Sequence, residues 1–326
     1  MKKKKMNTKT KTIAVLMAAI IVSAVVVPMA MAQTAVDTQA QVTGSGTPPD
    51  IQYKFELPDD GDLLHTIPGT QVTPVPAGTK QVCVYIVATD PNGAADINRV
   101  WADVDYPSGG LKASGDATEI TDQSTIEGIT QDAVNQNIID AGDKTFIDLH
   151  CSNSESRMFE YCFELTNCEE PGMYEVTANA NDGSGGVGVL VNTFEYLSIK
   201  ALKLDFTHIN YGVVVPGVKQ IVSGDDDMST PNNPTVENEG NDPFKLRIGA
   251  TDMIGVNPAN VIDATNLDSN VYGTSGPQEQ NLNNAGITFD PIIEYCSEEP
   301  IDFSLLQDII CQDTYTGTLT IEAVTP

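Results

Sequence analysis

The sequence predicts an all-β protein, with two β-sandwich domains in tandem behind a signal peptide and an extended N-terminal strand. Three observations lead there. From residue 50 onward, short runs alternate apolar and polar residues between clusters of Gly, Pro, Asn and Asp, the pattern of half-buried strands joined by turns. The first 32 residues have the layout of a secretory signal. Six cysteines lack any Cys-x-x-Cys spacing and the three histidines, His65, His150 and His208, stand apart, so in an exported chain the cysteines read as disulfides before metal ligands.

The signal comes first along the chain. Lys2, Lys3, Lys4, Lys5, Lys9 and Lys11 make a basic start, residues 13–27 an apolar run, and Ala30-Met31-Ala32 a cleavage site before Gln33. A run of fifteen residues falls short of the roughly 20 of a spanning helix, and no segment after residue 32 is apolar enough to cross a membrane. Cleavage removes six lysines and no acid, taking the formal net charge from −28 to −34. Such a chain repels phosphate backbones, which excludes nucleic acid as a partner. The same charge favours solubility and divalent cations.

Residues 33–49 follow. Val36, Thr38, Ala40 and Val42 alternate with Asp37, Gln39, Gln41 and Thr43, and a Gly-Ser-Gly-Thr-Pro-Pro hinge closes the segment at 44–49. Period 2 fits a strand that pairs outside its own domain; it equally fits a frayed tail.

Residues 50–197 form the first expected sandwich, with strands at 81–88, 99–106, 145–150, 158–165, 173–180 and 188–197. Alternation assigns inward rows: Val100, Ala102 and Val104; Phe159, Tyr161, Phe163 and Leu165; Tyr174, Val176, Ala178 and Ala180. Trp101 takes outward parity. The stretches Asp-Pro-Asn-Gly-Ala-Ala-Asp-Ile with Val-Trp-Ala-Asp-Val, and Pro-Gly-Met-Tyr-Glu-Val-Thr-Ala-Asn-Ala-Asn-Asp, resemble secreted Ig-like, PKD-like and cadherin-like modules. The resemblance implies an Ig-like fold and no particular activity, and the outward Trp101 argues against an antibody-type core disulfide. Cys83 and Cys162 both take outward parity and are expected to meet across adjacent strands. That leaves Cys151 to pair with Cys168, although four cysteines allow three connectivities.

Residues 198–326 form the second expected sandwich, Ig-like or of jelly-roll type. Leu202, Leu204 and Phe206 alternate with polar residues, and further strands are expected at 211–215, 220–222, 235–237, 244–250, 286–289 and 314–324. Residues 257–284 are expected as one long loop and 301–310 as a short helix. Cys296 and Cys311, alone in this half, are expected to pair. Asn-Tyr-Gly-Val-Val-Val-Pro-Gly and Pro-Thr-Val-Glu-Asn-Glu-Gly-Asn resemble segments of archaeal and bacterial extracellular β-sandwich proteins, some of which build fibres and coats.

No nucleophile elbow, Walker loop, dinucleotide fingerprint or His-Glu-x-x-His occurs, so no enzymatic activity is expected. Acid-rich turns are the chemical alternative, because calcium takes six to eight oxygens from Asp, Asn and carbonyls. The candidate ligands are Asp90, Asn92 and Asp96 with Asp182, besides the runs 59–62 and 225–227; solvated turns favour the same residues for backbone reasons. The order of signal peptide, alternating strand, hinge and sandwich is similar to that of donor-strand filament subunits. The resemblance implies self-association into a surface filament or coat through Val36, Thr38, Ala40 and Val42. An adhesin, or a module binding carbohydrate or protein, is the alternative.

Overall fold

The computed structural model describes residues 46–308 and 311–326. The expected signal peptide and the expected strand with Val36, Thr38, Ala40 and Val42 lie outside the described residues. In the first half run β1 (Asp50–Leu57), β2 (Gln71–Val72), β3 (Thr79–Thr89), β4 (Ile97–Asp105), β5 (Leu111–Asp116) and β6 (Thr118–Ile120). Two helices, α1 (Gln123–Asn135) and α2 (Ala141–Ser152), precede β7 (Ser156–Thr166), β8 (Gly172–Asp182) and β9 (Val187–Tyr196). Sheet β1-β3-β7-β6 faces sheet β2-β9-β8-β4-β5. The inward rows follow the alternation: Val100, Ala102, Val104, Leu165, Tyr174, Val176, Ala178 and Ala180 are all buried between the sheets, while Tyr161 is only partly covered. Trp101 does point outward, under the Arg99 guanidinium at 4.7 Å.

The helices correct the expected strand at 145–150. Asp140 accepts the Asp143 N–H at 2.8 Å and Asp143 returns the bond to the Asp140 N–H, a capping box that starts α2. Ile147 and half-buried Cys151 are spaced i, i+4, as a helix face requires. Helix α1 was not anticipated, though Asp122 caps it and Ile126, Thr130 and Ala133 face inward. Both helices cover Phe55, Tyr85, Val87 and Met158 on the outer face of β1, β3 and β7, so these strands are buried on both faces. Ile147→Ala is expected to cost about 2–5 kcal/mol, read as a lower urea midpoint; no shift would mean that α2 is not seated there.

The second half contains β10 (Leu202–Leu204), β11 (Gln220–Val222), β12 (Thr235–Asn238), β13 (Phe244–Ala250), β14 (Met253–Gly255), β15 (Val261–Ile262) and β16 (Leu267–Val271). It ends with β17 (Gln278–Asn281), β18 (Ile287–Ile293), β19 (Glu298–Leu305), β20 (Tyr315–Thr316) and β21 (Leu319–Val324). The order β10-β12-β19-β16-β17, with β11 also on β19, makes one sheet; β18-β13-β21 and β15-β14-β20 make two small ones. Their buried side chains form a separate core.

Three expectations fail here. Residues 301–305 belong to β19, because Ile301, Phe303 and Leu305 are buried at period 2 between Asp302 and Ser304. Residues 257–284 hold β15, β16 and β17, with β16 running in register beside β19. Residues 211–215 form no strand: the Asn210 side chain accepts the Gly212 N–H at 2.9 Å, Gly212 has φ +66°, and Val213 is left exposed.

Cys83 and Cys162 stand opposite each other in the β3–β7 register and are bridged, with Cα atoms 4.0 Å apart. The other two expected pairs are not formed. Cys168 is bridged to Cys296, 128 residues away, and Cys151 and Cys311 are free thiols. The eleven residues of β7 lie between Cys151 and Cys168, and at about 3.3 Å per residue they hold the ends some 35 Å apart, far beyond the roughly 7 Å a bridge allows. The eight residues of β19 separate Cys296 from Cys311 in the same way. The observed bridge ties the two halves beside a hydrogen bond from Ala77 N–H to Glu239 O at 3.0 Å. Burial raises the Cys151 thiol to about 11, with Asp148 adding to the effect, which makes it a poor nucleophile.

Candidate functional site

β21 is a sheet margin, paired with β13 along one side and with no other described strand. In that register Leu246, Ile248 and Ala250 of β13 stand opposite Ala323, Ile321 and Leu319. The β13 residues are buried, whereas their three partners on β21 are only half-buried. The core therefore loses its cover one strand short of closure. The opposite margin is β10, where Leu202 and Leu204 are also half-buried. Between these margins opens a groove of about 530 Å³, lined by Leu204, Phe206, Tyr211, Met253, Leu319 and Ile321 among others. The Tyr211 hydroxyl is buried without a hydrogen-bond partner, and burial raises its pKa above the ordinary phenol value.

The first half has a comparable gap between the margin β1 and the length of β9 that the short strand β2 leaves unpaired, and there it is plugged by polar groups. The Lys54 ammonium, fully buried, bonds Glu56 at 2.9 Å, the Val176 carbonyl at 2.8 Å and the Asn192 side chain. Asn192 Nδ2 in turn donates to Glu56 at 3.1 Å. Burial pulls the Lys54 pKa down, and Glu56 opposes that shift. Glu56→Gln leaves the ammonium without its counter-charge and is expected to cost about 3–5 kcal/mol; an unchanged urea midpoint would show that Val176 and Asn192 suffice. β9 does expose Val187, Val189 and Val191, but they line the outer face and open no path to the core. A closed gap in one half and an apolar, open one in the other make the β21 margin the stronger site.

The expected cation ligands are brought together in part. Asp90, Asp96 and Asp182 each place a carboxylate oxygen within 4.8 Å of the others. Asn92 is exposed and joins the cluster through its backbone N–H, 2.7 Å from Asp90 Oδ1. Asp182 Oδ1 accepts the N–H groups of Ser184 at 2.9 Å and Gly186 at 2.7 Å, and Oδ2 accepts the Ser184 hydroxyl at 2.9 Å. Burial works to raise its pKa, but these bonds to the anion outweigh it and leave the carboxyl below its ordinary value. The other acidic runs serve their own turns. Asp62 accepts from Leu64 and Thr66, Asp60 pairs with Lys80, and Asp225 accepts from Thr230 and Asn233.

The half-buried row of β21 was legible in residues 314–324 as a strand, but not as a margin, since alternation does not tell a strand which neighbours it will have. Among the described residues, no helix is long and apolar enough to cross a membrane. No family model matches the chain, and no curated protein does. Solved structures that overlap it include a chaperone–tip adhesin complex of CFA/I fimbriae biogenesis, at 8% identity and TM-score 0.33, covering 86% of this chain and 84% of that one. Carbohydrate-binding modules of a β-sandwich superfamily overlap at 10% identity and TM-score 0.23, over 86% and 98% of the chains. The C-terminal domain of the BspA polypeptide of Streptococcus agalactiae overlaps at 12% and 0.21, over 85% and 97%. At such scores these likenesses carry no argument about what this chain does.

Proposed function

We propose that the protein is an extracellular subunit of a surface filament or coat, assembled when residues 33–43 of one copy add as a strand at the β21 margin of the next. The observation that supports this most is the apolar groove at that margin, with Leu319 and Ile321 half-buried beside an unpaired strand edge. Val36, Thr38, Ala40 and Val42 supply the complementary row: an alternating strand pairs its backbone with β21 and turns its apolar side chains into the gap. The signal sequence and the two disulfides support export.

Reach favours a neighbour's groove over the chain's own. Residues 46–49 pack against the loop at 182–188, at the end of β3 and β8 away from the second half: Gly186 lies so near Pro48 that an added Cβ would meet its Cα at 2.8 Å. Eleven-residue strands put that end about 35 Å from the junction between the halves. Thirteen residues, 33–45, span at most about 45 Å, which leaves some 10 Å for a margin whose six residues need about 20 Å. Donation to another copy is head-to-tail, does not close on itself and generates a filament.

The test is electron microscopy of the oxidised chain purified from an exporting host. Regular filaments support the reading. Uniform single particles at high concentration would overturn it in favour of an adhesin or binding module. That second reading is favoured by the size of the groove, which lies in the range of small-ligand pockets, and by Phe206, Tyr211 and Tyr315 in its lining.

A further inference from the structure

We infer that Asp90, Asp96 and Asp182 form a calcium site, a role that does not rest on strand donation. The cluster stands at the turns that follow β3 and β8, where two loops meet at one end of the first sandwich. Asp90 is 5% exposed and Asp182 2%, yet neither has a cationic side chain beside it, and none of the described ion pairs includes either of them or Asp96. Arg99, three residues beyond Asp96, is engaged with Asp116. Burying two carboxylates side by side without a counter-charge is unfavourable, because each loses hydration and repels the other.

A second, separate observation points to a ligand. Asp90 Oδ1 takes the Asn92 N–H, but Oδ2 is buried with no hydrogen-bond partner at all. Native proteins seldom strand a buried carboxylate oxygen, and an ion at the cluster supplies the missing contact. The chemistry of the donors selects the ion: three carboxylates are hard oxygen ligands, and no histidine or thiol joins them, which argues against zinc. Loop-borne ligands suit calcium, whose coordination is irregular and wide, better than magnesium, which demands a tight octahedron. Asp182 is held in place by the N–H groups of Ser184 and Gly186 and by the Ser184 hydroxyl, so the site needs little rearrangement.

The ion also has a structural consequence. Residues 46–49 rest on the same loop: a side chain at Gly46 would collide with the Ser184 hydroxyl, and one at Gly188 with the Pro49 carbonyl. Ordering the Asp182 loop therefore orders the point at which the N-terminal segment leaves the sandwich.

Isothermal titration of the chelator-treated, oxidised chain with calcium chloride tests the assignment, with thermal unfolding alongside. One saturable site is expected, with a Kd on the order of 10⁻⁴ to 10⁻³ M as for extracellular modules, together with a calcium-dependent rise in Tm. Asp96→Asn is the informative variant, because Asp96 is exposed and its loss spares the buried turns. It is expected to fold normally and to weaken calcium by about tenfold or more, since affinity follows ligand charge. Asp90→Asn should bind more weakly still and, without calcium, match or exceed the parent chain in Tm, because it relieves a buried charge. No saturable binding up to about 10 mM, equal affinity for magnesium, or full affinity in Asp96→Asn would each overturn the assignment. Calcium binding by a chain that forms no filaments leaves the site standing and removes only the assembly reading.

Discussion

A chain lacking residues 33–43 is expected to purify as a folded monomer that forms no filaments at any concentration, with the same unfolding midpoint as the parent. The deleted segment precedes the compact unit that begins at Gly44, so its loss removes the donor and leaves both cores complete. The groove remains vacant on such a monomer, and a synthetic peptide of residues 33–43 should bind it. Aspartate at both Val36 and Val42 should remove that binding. Burying a valine is worth about 1.5–3 kcal/mol, so two lost valines weaken the contact by more than about 100-fold. Ile321→Asp, on the acceptor side, should block assembly while leaving the monomer folded, since Ile321 sits half-buried at a margin. Filaments from the deleted chain would sink strand donation outright, and filaments from Ile321→Asp would move the acceptor away from β21.

Removing the Cys168–Cys296 bridge should have the second-largest effect. It closes a loop of 128 residues, for which the chain-entropy model gives about 5 kcal/mol. It is also the covalent tie between two separate cores. Cys168→Ser is therefore expected both to lower stability and to split one calorimetric transition into two, as the halves lose their coupling. Exposed Cys311→Ser should stay within about 0.5 kcal/mol of the parent and half-buried Cys151→Ser should cost about 1 kcal/mol, far less than Cys168→Ser, because neither thiol is bridged. These controls separate the observed connectivity from the one expected on sequence grounds. If Cys151→Ser matched Cys168→Ser, those two cysteines would be the bonded pair.

Local alternation was a reliable guide wherever a strand has one face on the core and one toward water. Val100, Ala102 and Val104 on β4, and Tyr174 to Ala180 on β8, are of this kind, and their inward rows are buried as read. It failed where a segment was short. Residues 145–150 alternate well enough to pass for a strand, yet the capping box of Asp140 and Asp143 and the i, i+4 pair Ile147 and Cys151 make them a helix. Residues 301–305 erred the other way. They were expected within a short helix between Cys296 and Cys311, but Ile301, Phe303 and Leu305 are buried in a central strand. The carboxylate cluster was partly legible because β-turns draw Asp and Asn to the same ends of neighbouring strands. Asn92 was counted among the ligands as an oxygen donor in the same turn, and its side chain is exposed.

Taken by itself, the sequence determined what depends on neighbouring residues. It set the all-β class, the inward and outward faces of the long strands, the acidic charge, and the outer-face pairing of Cys83 with Cys162. Tertiary structure decided what depends on residues far apart in the chain. Cys168 meets Cys296, and not Cys151, because an extended strand keeps its ends apart while sheet packing brings distant strands together. Two helices settle on one sheet face, which buries β3 on both sides. β21 ends as an uncovered margin because no other strand of the described residues lies beside it. Periodicity records which way a side chain points; only the assembled sheets determine what stands opposite it.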